Sequence, residues 1–165
     1  MRIDVPAIID IEASGFGQGS YPIEIGYALE DRVAHNFLIQ PAAGWTHWSE
    51  EAEEIHGLSY QWLKENGMAL KEVAYQLNHA LEGKTLYSDA WGFDNSWLGR
   101  LFEEAELIQR FRLETINKLL SERQMDAWHT IKEQVWQEQG NERRHRASCD
   151  VKVLQETFER VLALP

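Results

Sequence analysis

One cysteine, four prolines and few basic residues are the scarcities of this chain of 165 residues. The lone Cys149 cannot close an internal disulfide, which argues against a disulfide-stapled secreted scaffold and makes a reducing cytoplasmic compartment the expectation. The prolines are scattered, and no repeat, low-complexity tract or Gly/Ser/Pro-rich linker breaks the chain, so one domain over residues 1–165 is expected. No segment approaches the roughly 20 consecutive apolar residues that a membrane-spanning helix needs. Met1 to Pro6 also lack the basic and apolar regions of a signal peptide, and no membrane partner is expected. Bases are outnumbered, 16 Lys and Arg against 27 Asp and Glu, for a formal net charge of -11. A protein that grips long nucleic acid mainly through a basic surface does not have this balance.

What is present is ample apolar material, 44% of the residues, for one core. Ala7 to Ala13 is β-rich, and Ile23 to Leu29 and Val33 to Ile39 follow at short intervals with turn chemistry between them, which predicts an antiparallel three-strand meander. Leu70, Val73, Ala74, Leu77 and Leu81 recur at helical spacing over Ala69 to Leu81, and Gly83 stands where that helix should stop. Lys84 to Ser88 then reads as a strand, and Trp97, Leu98, Leu101, Phe102 and Ala105 as a second helical stripe. Phe111 to Glu114 is a further candidate strand, Met125 to Gln139 a helix, and Val151, Leu154, Phe158, Val161 and Leu162 the inner face of a last helix. The order β-β-β-α-β-α-β-α predicts an α/β fold with a mixed sheet covered by helices.

Charge is uneven along the chain. Residues 1–82 hold 13 acids and 4 bases, and residues 83–165 hold 14 acids and 12 bases. The run Glu50-Glu51-Ala52-Glu53-Glu54 suits a solvated helix start, where acids face the positive end of the dipole. Arg143, Arg144 and Arg146 are close enough in sequence to meet a phosphate together.

The chemistry is concentrated in Ile8-Ile9-Asp10-Ile11-Glu12-Ala13, where strand periodicity places Ile8, Asp10 and Glu12 on one face. The two carboxylates are then roughly 7 Å apart along the strand. In an apolar, central strand they would repel and lose hydration unless a cation received them, and a hard divalent ion such as Mg²⁺ or Mn²⁺ prefers such oxygen ligands. The alternative is an edge strand with its acids turned to water. No Cys/His pattern for zinc exists. Seven tryptophans are many for this length, and Trp91 and Trp97, flanking Asp94, are candidates for stacking on bases or, equally, for packing a core.

The motifs resemble the DEDDh 3'-5' exonuclease family, which includes ribonuclease T, oligoribonuclease and the proofreading subunit of bacterial DNA polymerase III. The resemblance rests on Asp10-Ile11-Glu12-Ala13-Ser14-Gly15-Phe16, Ile23-Glu24-Ile25-Gly26, Ile55-His56-Gly57-Leu58-Ser59, Phe93-Asp94 before an apolar helix, and His145 followed by Asp150. These come in family order and reach from residue 8 to about 154. One departure is an extra residue in Ser88-Asp89-Ala90-Trp91-Gly92-Phe93-Asp94, which makes Asp89 a competitor of Asp94 for metal.

The resemblance implies a ribonuclease H-like fold and two Mg²⁺ or Mn²⁺ ions, with Asp10, Glu12, Asp94 and Asp150 as ligands and His145 as general base. It implies hydrolysis of phosphodiester bonds at single-stranded 3' ends of RNA or DNA, releasing nucleoside 5'-monophosphates. Ser14, Gly15, Phe16 and His56 would lie near the terminal nucleotide, joined by Trp91 and Arg146 as further candidates for substrate contact. Homodimers are common in the family. A short oligonucleotide substrate accords with the low positive charge. A catalytically degenerate binding or interaction module of the same fold, and an endonuclease using four acids without the histidine, are the competing readings.

Overall fold

The computed structural model describes residues 3–140 and 144–165. Five strands, β1 (Ile8–Ala13), β2 (Pro22–Ala28), β3 (Ala34–Leu38), β4 (Thr85–Ser88) and β5 (Arg112–Thr115), form one sheet in the order β3-β2-β1-β4-β5. β1, β2 and β3 make the expected antiparallel meander, and β4 and β5 add to β1 in parallel. β1 is therefore the middle strand, which removes the edge-strand alternative for its two acids.

Alternation along β1 divides the molecule into layers. Ala7, Ile9, Ile11 and Ala13 join Ile25 and Tyr27 in a core completed by α3 (Leu70–Leu81) and α4 (Trp91–Ala105). Ile8 and Ala28 face the other way, onto Val151, Leu154, Phe158 and Val161 of α6 (Ala147–Leu162). Asp10 and Glu12 share that face with Ile8, opposite Gly26 and Glu24 on β2. Gly26 is needed there, because a Cβ would stand 2.5 Å from the Ala147 carbonyl carbon at the start of α6. The remaining long helix, α5 (Glu122–Glu138), opens on a capping box made by Ser121 and Gln124.

α1 (Glu50–His56) was expected only as a solvated helix start at its acidic run, and neither α2 (Tyr60–Asn66) nor the 3-10 turn Ile116–Leu119 was expected. The two helices have seven residues each, too short for a periodic stripe, and depend on local devices. Ser49 and Ser59 accept the amides of Ala52 and Trp62, and Gly57 closes α1 in a left-handed conformation. Tyr21, Ile23, Trp45, Leu58 and Leu63 form a small core that holds them to the sheet. α4 also starts earlier than its apolar stripe, at Trp91, because Trp91, Gly92 and Phe93 are exposed and only Asp94 of the first turn is buried. Among the described residues no helix is long and apolar enough to cross a membrane.

Candidate active site

The end of β1, the first turn of α4 and the start of α6 meet at one cavity of about 390 Å³. Asp10, Glu12, Asp94, His145 and Asp150 all line it, as do Gly15, Phe16 and His56. Glu12, His145 and Asp150 each offer a ligand atom within 4.8 Å of the others. Asp150 is also within hydrogen-bonding reach of both Glu12 and Asp10. The His145 amide donates to Asp150 Oδ1 at 3.1 Å, which ties the loop before α6 to the helix's own first turn.

The electrostatics are those of carboxylates crowded out of water. Burial first, and then the charges of Asp150, Asp94, Glu12 and Asp89, hold the Asp10 carboxyl well above its ordinary value. Burial and Asp150 push Glu12 up to about 10. Burial raises Asp94 to about 8, although the Ser88 hydroxyl donates to its Oδ2 at 2.5 Å and opposes the shift. Asp150 rises to about 6, again chiefly by burial. One oxygen of Asp10, Oδ2, is buried with no hydrogen-bond partner among the described residues. Such an orphan lone pair costs free energy unless a donor or an ion fills it. The donor set is hard oxygen throughout, with one imidazole beside it, and fits Mg²⁺ or Mn²⁺.

Asp89 also lines the cavity but differs from Asp94. Its Oδ2 takes the Lys132 ammonium of α5 at 2.7 Å and faces the Trp128 indole N–H at 3.5 Å. It is already paired with a cation, whereas Asp94 holds only a hydroxyl.

His145 stands in left-handed backbone, φ 64°, a conformation unfavourable for a residue with a Cβ. Loss of hydration, followed by the charges of Arg144 and Lys132, lowers its pKa. His56 is buried and is lowered for the same first reason. Its Nδ1 accepts the Leu58 amide at 3.0 Å, which assigns the proton to Nε2, a buried atom without a partner among the described residues.

Three of the residues expected near the substrate are occupied elsewhere. The Ser14 hydroxyl is fully buried, hydrogen-bonded to His47 Nδ1 at 2.9 Å and to the Tyr21 amide at 3.1 Å, and is not part of the cavity lining. The Trp91 indole donates to the Leu113 carbonyl of β5 at 3.0 Å instead of facing the cavity. Arg146, expected to meet phosphate, directs its guanidinium to Glu24, with Nη2 2.8 Å from Oε2. Arg144 is bidentate to Glu133 of α5 at 2.6 and 2.8 Å, and Arg143 lies outside the described residues. Conversely, the residue-by-residue reading missed Phe93. Its ring, half exposed, packs edge-on to Phe16 at 5.0 Å and stacks on Trp97 at 5.7 Å, making an aromatic wall at the cavity mouth. The signal was an apolar side chain in the exposed first turn of a helix. Trp97 itself is buried, with its N–H on the Ser20 hydroxyl.

No family model matches the chain, and no curated protein matches it in sequence. Solved structures do match. Exonuclease I of E. coli in complex with a dT13 oligonucleotide superposes with a TM-score of 0.74 at 13% identity, over 98% of this chain and 41% of that one. The same enzyme in complex with a dA16 oligonucleotide gives 0.68, also at 13% identity, over 96% and 42%. The moderately thermophilic exonuclease I from Methylocaldum szegediense gives 0.69 at 16% identity, over 96% and 40%. The chain thus spans about two fifths of the length of these proteins. Over nearly all of its own length it has the ribonuclease H-like fold of exonuclease I.

Proposed function

We propose that this protein is a metal-dependent 3'-5' exonuclease acting on single-stranded 3' ends of RNA or DNA, short oligonucleotides included. The observation that carries the reading is the convergence of Glu12, His145 and Asp150 beside the unpartnered Oδ2 of Asp10. Like charges brought together in a half-buried cavity are destabilising on their own. They are retained at a cost that a hard divalent cation relieves.

Asp10, Glu12, Asp94 and Asp150 would hold two Mg²⁺ or Mn²⁺ ions. When bound, such ions lower the pKa of a coordinated water and stabilise the charge developing on the phosphate and the leaving oxygen. The chain's own residues supply the rest. Neutral His145 accepts the proton of the attacking water as the new P–O bond forms and the P–O3' bond breaks. The 3' oxygen of the shortened strand is reprotonated and a nucleoside 5'-monophosphate departs. Phe16 and Phe93 offer a sequence-tolerant surface for the terminal bases. His56 Nε2–H supplies a donor to a sugar or phosphate oxygen. Asp94 is preferred to Asp89 as ligand because Lys132 already neutralises Asp89. The homodimer that the resemblance allows has no support, and the reading is made for one chain.

The test is a 5'-labelled oligonucleotide incubated with Mg²⁺ or Mn²⁺, in matched RNA, single-stranded DNA and duplex DNA forms. A ladder of products shortened from the 3' end is expected, together with its abolition by a 3' block. A purified, folded protein that yields no ladder on any substrate sinks the proposal, and cleavage of the blocked strand would make the enzyme an endonuclease.

A further inference from the structure

His145 is the least securely placed of the site residues by local chemistry, yet it has to be among the best placed. It sits outside any helix or strand, in left-handed backbone, one residue from an arginine on either side. Each of those arginines is tied to a carboxylate on a different element, Arg144 to Glu133 of α5 and Arg146 to Glu24 of β2.

Glu24 is the unusual member. It is fully buried in the second strand of the sheet, opposite Glu12, and does not itself line the cavity, but it is surrounded by donors. Arg146 reaches its two oxygens through Nε at 3.2 and 3.3 Å and through Nη2 at 2.8 Å. The Ala147 amide, at the open first turn of α6, donates to Oε1 at 2.7 Å, and Asn36 of β3 donates to Oε2 at 3.2 Å. The carboxylate thus grips both residues that follow His145. Gly26, two positions along the same strand, lets the Ala147 backbone come close enough for this grip.

We propose that Glu24 is a positioning residue: through Arg146 and the Ala147 amide it fixes the left-handed turn at His145 and aims the imidazole at the acidic cluster. Arg146 belongs to this strut and not to the substrate contacts. The proposal rests on the exonuclease reading for its kinetic consequence, but its geometric content does not. Displacing a reacting group by about 1 Å can cost 10²-fold in rate. Loosening the strut should therefore lower kcat while leaving substrate affinity nearly intact.

The experiment compares Glu24→Gln, Arg146→Lys and Arg146→Ala with the parent. Gln keeps the shape and an acceptor for Ala147 but loses the charge, and Lys keeps the charge but loses the fork. We expect kcat to fall about 10- to 100-fold, the order seen when supporting hydrogen bonds behind a site are removed, with KM within about twofold. Millimolar guanidinium should restore part of the kcat of Arg146→Ala, whose lost group is partly exposed, and should not stimulate the parent. In parallel, the ¹³Cα and ¹³Cβ shifts of His145 report its left-handed backbone and should move in each variant. An inactive parent would overturn the exonuclease reading, and the His145 shifts would then decide the strut by themselves. Unmoved shifts with parental kcat overturn the strut. So does a raised KM with unchanged kcat, which would return Arg146 to the substrate, or lost activity that tracks lost melting temperature and that guanidinium does not restore.

Discussion

Asp10 states the conflict of this molecule at the scale of one residue. It lies in the middle strand, between apolar neighbours, with one oxygen unpartnered and four further acids pressing on it. Its folded pKa, like those of Glu12, Asp94 and Asp150, is raised above the ordinary value of about 4. Below that value the acids are protonated in both folded and unfolded chains and cost nothing. Above it the folded chain holds more protons than the unfolded one, so stability falls as pH rises through about 6 for Asp150, 8 for Asp94 and 10 for Glu12. Asp10→Asn removes one of the charges at its source. In metal-free buffer this variant should melt above the parent, by about 3 °C or more at pH 8 if at least 1 kcal/mol is relieved, and the gap should close toward pH 4. Mn²⁺ should raise the parent's melting temperature more than the variant's. A variant that melts below the parent at pH 8 would mean that the acidic cluster carries no such strain. The acids were legible in the sequence because two charges inside a run of Ile and Ala have no bland explanation once the strand is central. Arg146 was not, because its partner lies 122 residues away and nothing local marks Glu24 as buried.

At the scale of elements, what proved readable was whatever repeats. β1 to β5, α3, α5 and α6 show alternation or helical stripes over several turns, and their observed ends fall within a few residues of expectation. α2 escaped, and α1 showed only its acidic start, because seven residues capped by serine and closed by glycine leave no period to find. The site depends on one further relation that no single element displays, the approach of α6 to β2 over Gly26. A methyl group there meets backbone, which cannot rotate away, so Gly26→Ala should drive the start of α6 outward and carry His145 and Asp150 with it. Overpacking of this kind costs about 1–3 kcal/mol of stability, and kcat should fall by about 10²-fold if the displacement approaches 1 Å. Gly99→Ala is the natural control: it lies in exposed helix within α4 with open space at its Cβ, and should leave activity unchanged while stabilising by about 0.5–1 kcal/mol. Melting curves and the labelled-strand assay on the two variants separate a local overpacking from a general intolerance of alanine. Equal effects from both would dispose of the close approach as the explanation.

Across the whole molecule the acidic balance of -11 is partly hidden by how the bases are used. Arg32, Arg110, Lys118, Lys132, Arg144, Arg146 and Arg160 are each paired with a carboxylate of the chain itself. The two bases that line the cavity, Lys132 and Arg144, are both among them. Little free positive charge is left at the cavity itself to displace counterions from a nucleic acid strand, and the aromatic wall of Phe16, Phe93 and Trp97 is indifferent to salt. Binding of a single-stranded oligonucleotide should therefore depend weakly on monovalent salt. One or two phosphate contacts predict a slope of log K against log salt of about -0.7 to -1.4, from the value of about -0.7 per contact for single strands. Fluorescence anisotropy with a labelled strand, at fixed Mg²⁺ and with His145→Ala in place of the parent to prevent cleavage, measures it. A slope of about -4 or steeper would require five or more neutralised phosphates. Those would have to come from bases away from the cavity, from bases now paired within the chain or from a second subunit, and a strand held in that way would not be the short end that this cavity accommodates.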